Sequence, residues 1–353
     1  MTPDPGLSSM RELVRAGGPA LSARVSDRLE LVERHLREAV SDGFPMLREA
    51  AGHLLEAGGK RMRPLLVLLG AEFGDPGAPS VIPAAASVEL VHVASLYHDD
   101  VMDEAPLRHG VPSAHVKWDT KVAILVGDYL FARAAGLELP EQARVEQARC
   151  VAHLVAGQVR ESAGPAPGDD RLDHYLQVLQ EKSASLIRFS ARLGGLCAGA
   201  PPHVTTALAE YGELLGMAFQ LSDDLIDVLS EPDESGKGAG TDLRAGVLTL
   251  PALHALALSG ADLRAGHLSD EHPRTGGAEA GRLAELLATG PLTDPALHAE
   301  ALTLLRRSPA MLTARAEVER YAAEAAAVAR ALPANPARAV LLALSRQVGH
   351  RTI

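Results

Sequence analysis

Apolar residues recur at the 3.6-residue period of an α-helix through most of this chain, and that rhythm restricts the fold more than any other feature. In Leu172, Tyr175, Leu176 and Leu179 they fall at i, i+3, i+4 and i+7, one stripe of a helix. Leu31, His35, Leu36 and Val40 also keep helical spacing. Strand signals, alternating runs joined by Asn-Gly turns, are nearly absent. Aromatic residues make up only 3% of the chain while alanine and leucine are everywhere, a bias that suits helices over sheets. Glycine and proline interrupt the pattern at Gly58-Gly59 with Pro64, Gly74–Gly77, Gly164–Gly168, Gly199–Pro202, Gly236–Gly240 and Pro333–Pro336. Each cluster reads as a helix stop or turn, with a helix-length segment between. The sequence therefore predicts an all-α fold. Residues 1–20 are expected to form a mobile N-terminal segment, 21–353 one domain, and the stretch from about 260 to 281 a surface loop.

Charge and composition exclude several functions. Thirty-four basic residues stand against 45 acidic ones, a formal charge of −11, which argues against nucleic acid as a partner but not against a local basic pocket. Two cysteines, Cys150 and Cys197, make no disulfide framework and read as small core fillers. No basic start followed by an apolar stretch marks a signal peptide, and no unbroken apolar run of about 18 residues marks a transmembrane segment. The expected location is the cytoplasm.

Three copies of Asp-Asp-x-x-Asp stand out: Asp99-Asp100-Asp103, Asp169-Asp170-Asp173 and Asp223-Asp224-Asp227. Twenty aspartates in 353 residues give a chance expectation of about 0.06 copies, so three require an explanation. The copy at Asp169 follows Gly-Pro-Ala-Pro-Gly and precedes a helical stripe, where acidic groups cap a helix and complement its dipole. The other two lie inside apolar helical sequence. There Asp99 and Asp103 share one face, as do Asp223 and Asp227. Like charges near an apolar face are costly unless neutralised. Mg²⁺ neutralises them, taking one or two carboxylates and completing its shell with water and phosphate oxygens.

Basic residues collect in other motifs. Gly58-Gly59-Lys60-Arg61-Met62-Arg63-Pro64 separates two helices, and backbone N–H groups at the second helix start, with Lys60 and Arg63, suit an anion. Pro64 suits a first helical position. Arg108 follows the first acidic motif, Lys182 sits early in a helix within Glu181-Lys182-Ser183-Ala184, and Lys237 lies in the glycine-rich stretch 236–240. That stretch does not match a P-loop.

Together these strings resemble the trans-isoprenyl diphosphate synthase (polyprenyl synthetase) family, from about Leu31 to Val348. Besides those above, the matching strings are Leu96–Asp103, Gly127-Asp128-Tyr129-Leu130, Phe219–Asp227, Gly236-Lys237 with Thr241-Asp242-Leu243, and Thr249-Leu250-Pro251. The resemblance implies a bundle of helices ringing a central cavity, a homodimer, and the Mg²⁺-assisted condensation of isopentenyl diphosphate with an allylic diphosphate. It implies that Asp99, Asp100, Asp103, Asp223 and Asp227 hold Mg²⁺ on the allylic diphosphate, with Asp224 in support. Arg108, Lys182 and Lys237 would contact that diphosphate, and Gln220 would help to position it. Lys60, Arg63 and His92, with Arg61 nearby, would bind isopentenyl diphosphate.

Two positions depart from the family pattern. His109 stands where a second arginine usually contacts isopentenyl diphosphate, and Val247 replaces a usual lysine. Ala94 and Ser95, one turn before Asp99, are small where farnesyl-type enzymes carry bulky aromatics. They predict an open cavity and a product longer than farnesyl diphosphate; a geranylgeranyl product is the short end of that range. A terpene cyclase does not need the Gly-Gly-Lys-Arg-x-Arg site, and weakly active partner subunits of heteromeric synthases typically lose carboxylates that are whole here.

Overall fold

The computed structural model describes residues 12–230, 239–261, 263–264 and 277–351. Nearly every described element is a helix, and the strands among them are two residues long. The chain divides into two compact units, each gathered from three stretches: 1–152, 186–212 and 326–344 in the first, 153–185, 213–325 and 345–353 in the second. The divisions at 152, 185, 212, 325 and 344 fall within or at the edge of helical runs, so no glycine- or proline-rich linker announces them.

The first unit is built on the helix Val81–Met102, which packs against Pro19–Ala39, Met62–Ala71 and Thr120–Ala135. Fourteen of its 22 residues are buried. It is long and apolar enough to cross a membrane, but a helix apolar on all sides is also what a protein core requires, and its apolar surface is covered by its neighbours. Tyr97, fully buried, donates its hydroxyl to Ala50 O in the helix Pro45–Glu56. Burial pushes the Tyr97 phenol well above its ordinary pKa. Cys150 and Cys197 are buried and form no disulfide, as expected of core fillers. Of residues 1–20, expected to be mobile, 1–11 lie outside the described residues; 12–20 are largely helical and mostly exposed, with Val14 buried and Gly17 close to Leu21, Pro336 and Val340.

Helices Met62–Ala71 and Ser185–Cys197 meet backbone to backbone. A methyl group on Gly194 would stand 1.9 Å from Val67 O, and one on Gly70 would stand 2.4 Å from Ala191 O. Glycine is required at both positions by this approach, which seats the helix that carries Arg63.

The second unit centres on Leu221, Leu225 and Val228 from the helix Pro202–Leu229. Around them lie residues of Leu250–Leu258, Gly277–Ala288, Pro295–Arg307 and Ala310–Ala331. The last part of the stretch 260–281, expected to be a loop, is the start of the helix at Gly277; most of the rest lies outside the described residues.

Candidate active site

In the first unit the chain leaves the helix Pro45–Glu56 through Gly58 (φ 96°) and Gly59 (φ 151°), and Arg61, itself left-handed at φ 50°, caps Met62–Ala71. Helix therefore starts two residues before Pro64, whose missing N–H falls among the unpaired donors of the first turn. A left-handed arginine costs about 1–3 kcal/mol, and its side chain offsets that cost. Arg61 Nε donates to Glu33 Oε1 at 2.6 Å, and Nη1 donates to Glu89 Oε1 at 2.9 Å and to Gly58 O at 3.3 Å. Nη2 donates to Leu55 O at 2.9 Å and to Glu33 Oε2 at 3.4 Å. All five guanidinium donors are thus engaged by protein acceptors. With 5% of its surface exposed, Arg61 is a structural post of the loop.

Arg63, two residues on, differs. Burial depresses its proton affinity, and its Nε is a buried donor with no hydrogen-bond partner, so the guanidinium keeps donor capacity that the protein does not use. His92 is half-buried in the field of Arg63, His109, Arg61 and Arg108; burial first, then those charges, hold it well below its ordinary pKa and neutral at pH 7. His109 occupies the turn of a hairpin in which Leu107–Arg108 pairs with Val111–Pro112. His109 (φ 50°) and Gly110 (φ 79°) are both left-handed, the geometry of a type I′ turn. That turn brings the imidazole beside Gly59, 3.9 Å from where a side chain on Gly59 would begin. Partial desolvation, then Arg108 and Arg61, lower its pKa as well. Lys60 is exposed at the same loop.

The first acidic motif ends the helix Val81–Met102. Asp103 N donates to Asp99 O at 2.8 Å, Asp99 is half-buried and Asp103 exposed. Asp100 points inward instead. It is 1% exposed, and Oδ1 accepts from Arg108 Nε at 2.7 Å and Nη2 at 2.6 Å, while Oδ2 is buried without a partner. Arg108 is thereby tied to the motif. Ala94 is fully buried, and Ser95, at 8% exposure, donates its hydroxyl to His92 O.

The second acidic motif lies in the second unit. Asp223 pairs with Arg351 at 3.0 Å, whose guanidinium also covers the Phe219 ring. Asp224 is buried and accepts from the Tyr175 hydroxyl and, at 3.4 Å, from Gln220 Nε2. Asp227 accepts at Oδ1 from Thr241 N (3.1 Å) and Oγ1 (2.5 Å), and at Oδ2 from Asp242 N (3.2 Å). Tyr175 and Arg351 were not singled out from sequence as site residues. The first was legible only as part of an apolar stripe, and the second lies more than 100 positions from the carboxylate it meets.

Burial pushes the Asp224 carboxyl up to about 7 against the pull of the Tyr175 hydrogen bond. A folded-state value above the unfolded one means that the native protein holds a proton the unfolded chain has released. Stability is therefore greatest below about pH 4 for this group and is lost as pH rises toward 7. Asp224→Asn should remove that part of the slope, raising the Tm of metal-free protein at pH 8 relative to its parent while leaving the two alike near pH 4. Thermal melts at the two pH values check this, and parallel curves reject it.

Lys182 does not begin a helix. It sits in a π-helical turn, Leu179–Ala184, inside one helical run from Arg171 to Cys197, and its ammonium pairs with Glu161. Such turns insert a residue and re-aim side chains, and they recur at functional sites. Lys237 lies outside the described residues. The Asp169 copy caps as expected: Asp170 Oδ1 accepts from Leu172 N at 2.8 Å and from Asp173 N at 3.2 Å. Val247 is exposed.

Among the described residues no three carboxylate, imidazole or thiol groups form a cage that could hold a metal unaided. The donors at the two remaining motifs are hard carboxylate oxygens, which fit Mg²⁺ when a substrate's phosphates supply the other oxygens.

Residues 44–274 match the family model described as polyprenyl synthetase. The chain is 44% identical over 335 residues to the nonaprenyl diphosphate synthase of Mycobacterium tuberculosis, covering 94% of this chain and 91% of that one. It is 38% identical over 336 residues to heptaprenyl diphosphate synthase component 2 of Geobacillus stearothermophilus, covering 94% and 98%. The structure is similar, with a TM-score of 0.80 and 39% identity, to the geranylgeranyl pyrophosphate synthase of Corynebacterium glutamicum complexed with calcium and isoprenyl diphosphate. That match covers 95% of this chain and 98% of the other.

Proposed function

Because the chain belongs to the polyprenyl synthetase family, whose members are prenyltransferases, we propose that it condenses isopentenyl diphosphate with an allylic diphosphate into a prenyl diphosphate longer than farnesyl. The observation that carries the reading is the buried, unpartnered Nε of Arg63, in the first turn of the helix Met62–Ala71, in the same electrostatic neighbourhood as a neutral His92 and following the loop that bears Lys60. An anion completes that group. It supports assigning Lys60, Arg63, His92 and His109 to the diphosphate of isopentenyl diphosphate, with Arg61 as the post that holds their loop.

The allylic diphosphate is assigned to Asp99, Asp103, Asp223 and Asp227 through Mg²⁺, and to Arg108, Lys182 and Lys237. Calcium and isoprenyl diphosphate in the C. glutamicum relative support a divalent cation. When bound, Mg²⁺ supplies charge stabilisation to the departing pyrophosphate. Asp100 keeps Arg108 aimed, and Gln220 and Asp224 brace the second motif. Fixed charges of this kind act on the developing negative charge without reorganising, which favours ionisation of the allylic C–O bond. Isopentenyl diphosphate held nearby then attacks through its double bond, and the proton lost from the resulting cation passes to the released pyrophosphate, completing the chain extension. Apolar helices exclude water that would quench the cation.

Small residues at 94 and 95, and relatives named for nonaprenyl and heptaprenyl products, support the longer chain. A cytoplasmic homodimer is the assembly proposed, supported by exposed Ile124 and Leu125 on the helix Thr120–Ala135. The relative named as a component favours a second reading, a subunit that needs a partner. Purified chain incubated with Mg²⁺, isopentenyl diphosphate and a series of allylic primers should alone yield products longer than farnesyl diphosphate. Inactivity of the chain alone would support the partner-dependent reading instead. In the same assay Ala94→Phe should shorten the product, and an unchanged product length removes Ala94 from the cavity wall.

A further inference from the structure

One buried histidine stands behind the second acidic motif. His298, 5% exposed, lies in the first turn of the helix Pro295–Arg307, where its Nε2 donates to Gly240 O at 2.8 Å. Gly240 is left-handed, and a side chain there would begin 2.9 Å from the same nitrogen, so ring and backbone lie flush. Gly240 N donates to Asp227 O at 2.8 Å, and among the described residues the next two supply three hydrogen bonds to the Asp227 carboxylate. The same helix grips the chain on the other side of Asp227. Arg306 Nε donates to Val228 O and its Nη2 to Ser230 O, each at 2.7 Å. These are carbonyls that the end of the helix Pro202–Leu229 leaves unpaired.

We propose that His298 is a positioning residue for Asp227. Resting on the metal-binding role assigned to Asp227 above, this inference adds that the imidazole fixes the Gly240–Asp242 turn, and that the turn fixes the rotamer in which the carboxylate meets the metal. Groups that orient a metal's ligands typically govern affinity by about 10- to 100-fold. His298→Leu removes the donor, His298→Asn withdraws it from reach, and His298→Gln returns an N–H near the Nε2 position.

Calorimetric titration of the whole chain with Mn²⁺ and inorganic pyrophosphate, beside Asp227→Ala, tests the idea. His298→Leu and His298→Asn should weaken binding by about 10-fold or more, with His298→Gln close to the parent. In turnover the first two should need more Mg²⁺ for half-maximal rate yet keep kcat at saturating Mg²⁺, a split that general loss of folded protein does not produce. If Asp227→Ala loses binding while a folded His298→Asn binds as tightly as the parent, the inference is overturned, even should His298→Leu fail to fold. If Asp227→Ala itself binds normally, the metal-ligand role of Asp227 falls and the inference with it.

Discussion

Alanine at Asp99 should lower kcat/KM for isopentenyl transfer by about 10²- to 10³-fold, the range for removing one preorganised charge-stabilising group. Asp99 and Asp103 are the outward-facing pair of their motif, and the third member has no freedom to replace either. Asp100 is buried, and one of its oxygens is held by Arg108. The loss should persist at saturating Mg²⁺, whereas affinity for isopentenyl diphosphate should stay near that of the parent, because Arg63 and His92 are untouched. Steady-state kinetics across a Mg²⁺ series, with direct binding of isopentenyl diphosphate, measure both. A loss smaller than about tenfold removes Asp99 from the metal site. Asp100→Ala should behave differently, lowering Tm as well as rate, since it strands the Arg108 guanidinium.

Gly194→Ala should be the most damaging single methyl group in the first unit. It drives a side chain to 1.9 Å from Val67 O, and backbone on both sides leaves no side chain to give way. Overpacking costs about 1–3 kcal/mol and occasionally more; here the upper end or beyond is expected. The neighbouring Gly195 is an internal control. A methyl there meets side-chain carbons of Leu208 and Thr205 at 3.0 and 3.1 Å. These can shift, and alanine gains up to about 1 kcal/mol of helix propensity over glycine. Chemical denaturation of the two variants should therefore separate them by about 2 kcal/mol or more. Equal midpoints would show that the two helices slide apart at little cost.

Much of this architecture was legible because its signals are local. A 3.6-residue stripe, a proline near a helix start and an aspartate before a helix each report on the next few residues, and Asp170 caps as its setting predicts. Acidic motifs in apolar sequence were legible for the same reason. What escaped depends on distance along the chain. The π-helical turn around Lys182 has no periodic signature shorter than the helices it joins. His298 meets Gly240 across 58 positions, and Arg306 meets Val228 across 78. Arg61 was misleading in another way, since a charged residue inside a basic motif gives no sign of whether its partners are ligands or its own protein. The divide between the two units was invisible because helices, not linkers, lie across it.

Glu33 and Glu89 neutralise Arg61, Asp100 offsets Arg108, and the two nearby imidazoles carry no charge at neutral pH. Among the described cations of this region, Arg63 feels Glu89 only through the field that Glu89 shares with Arg61, and keeps a buried Nε without a hydrogen-bond partner, while Lys60 is exposed. Recognition there would depend less on a broad electropositive field than on the few cationic groups, Arg63 among them, that keep donors unclaimed by the protein.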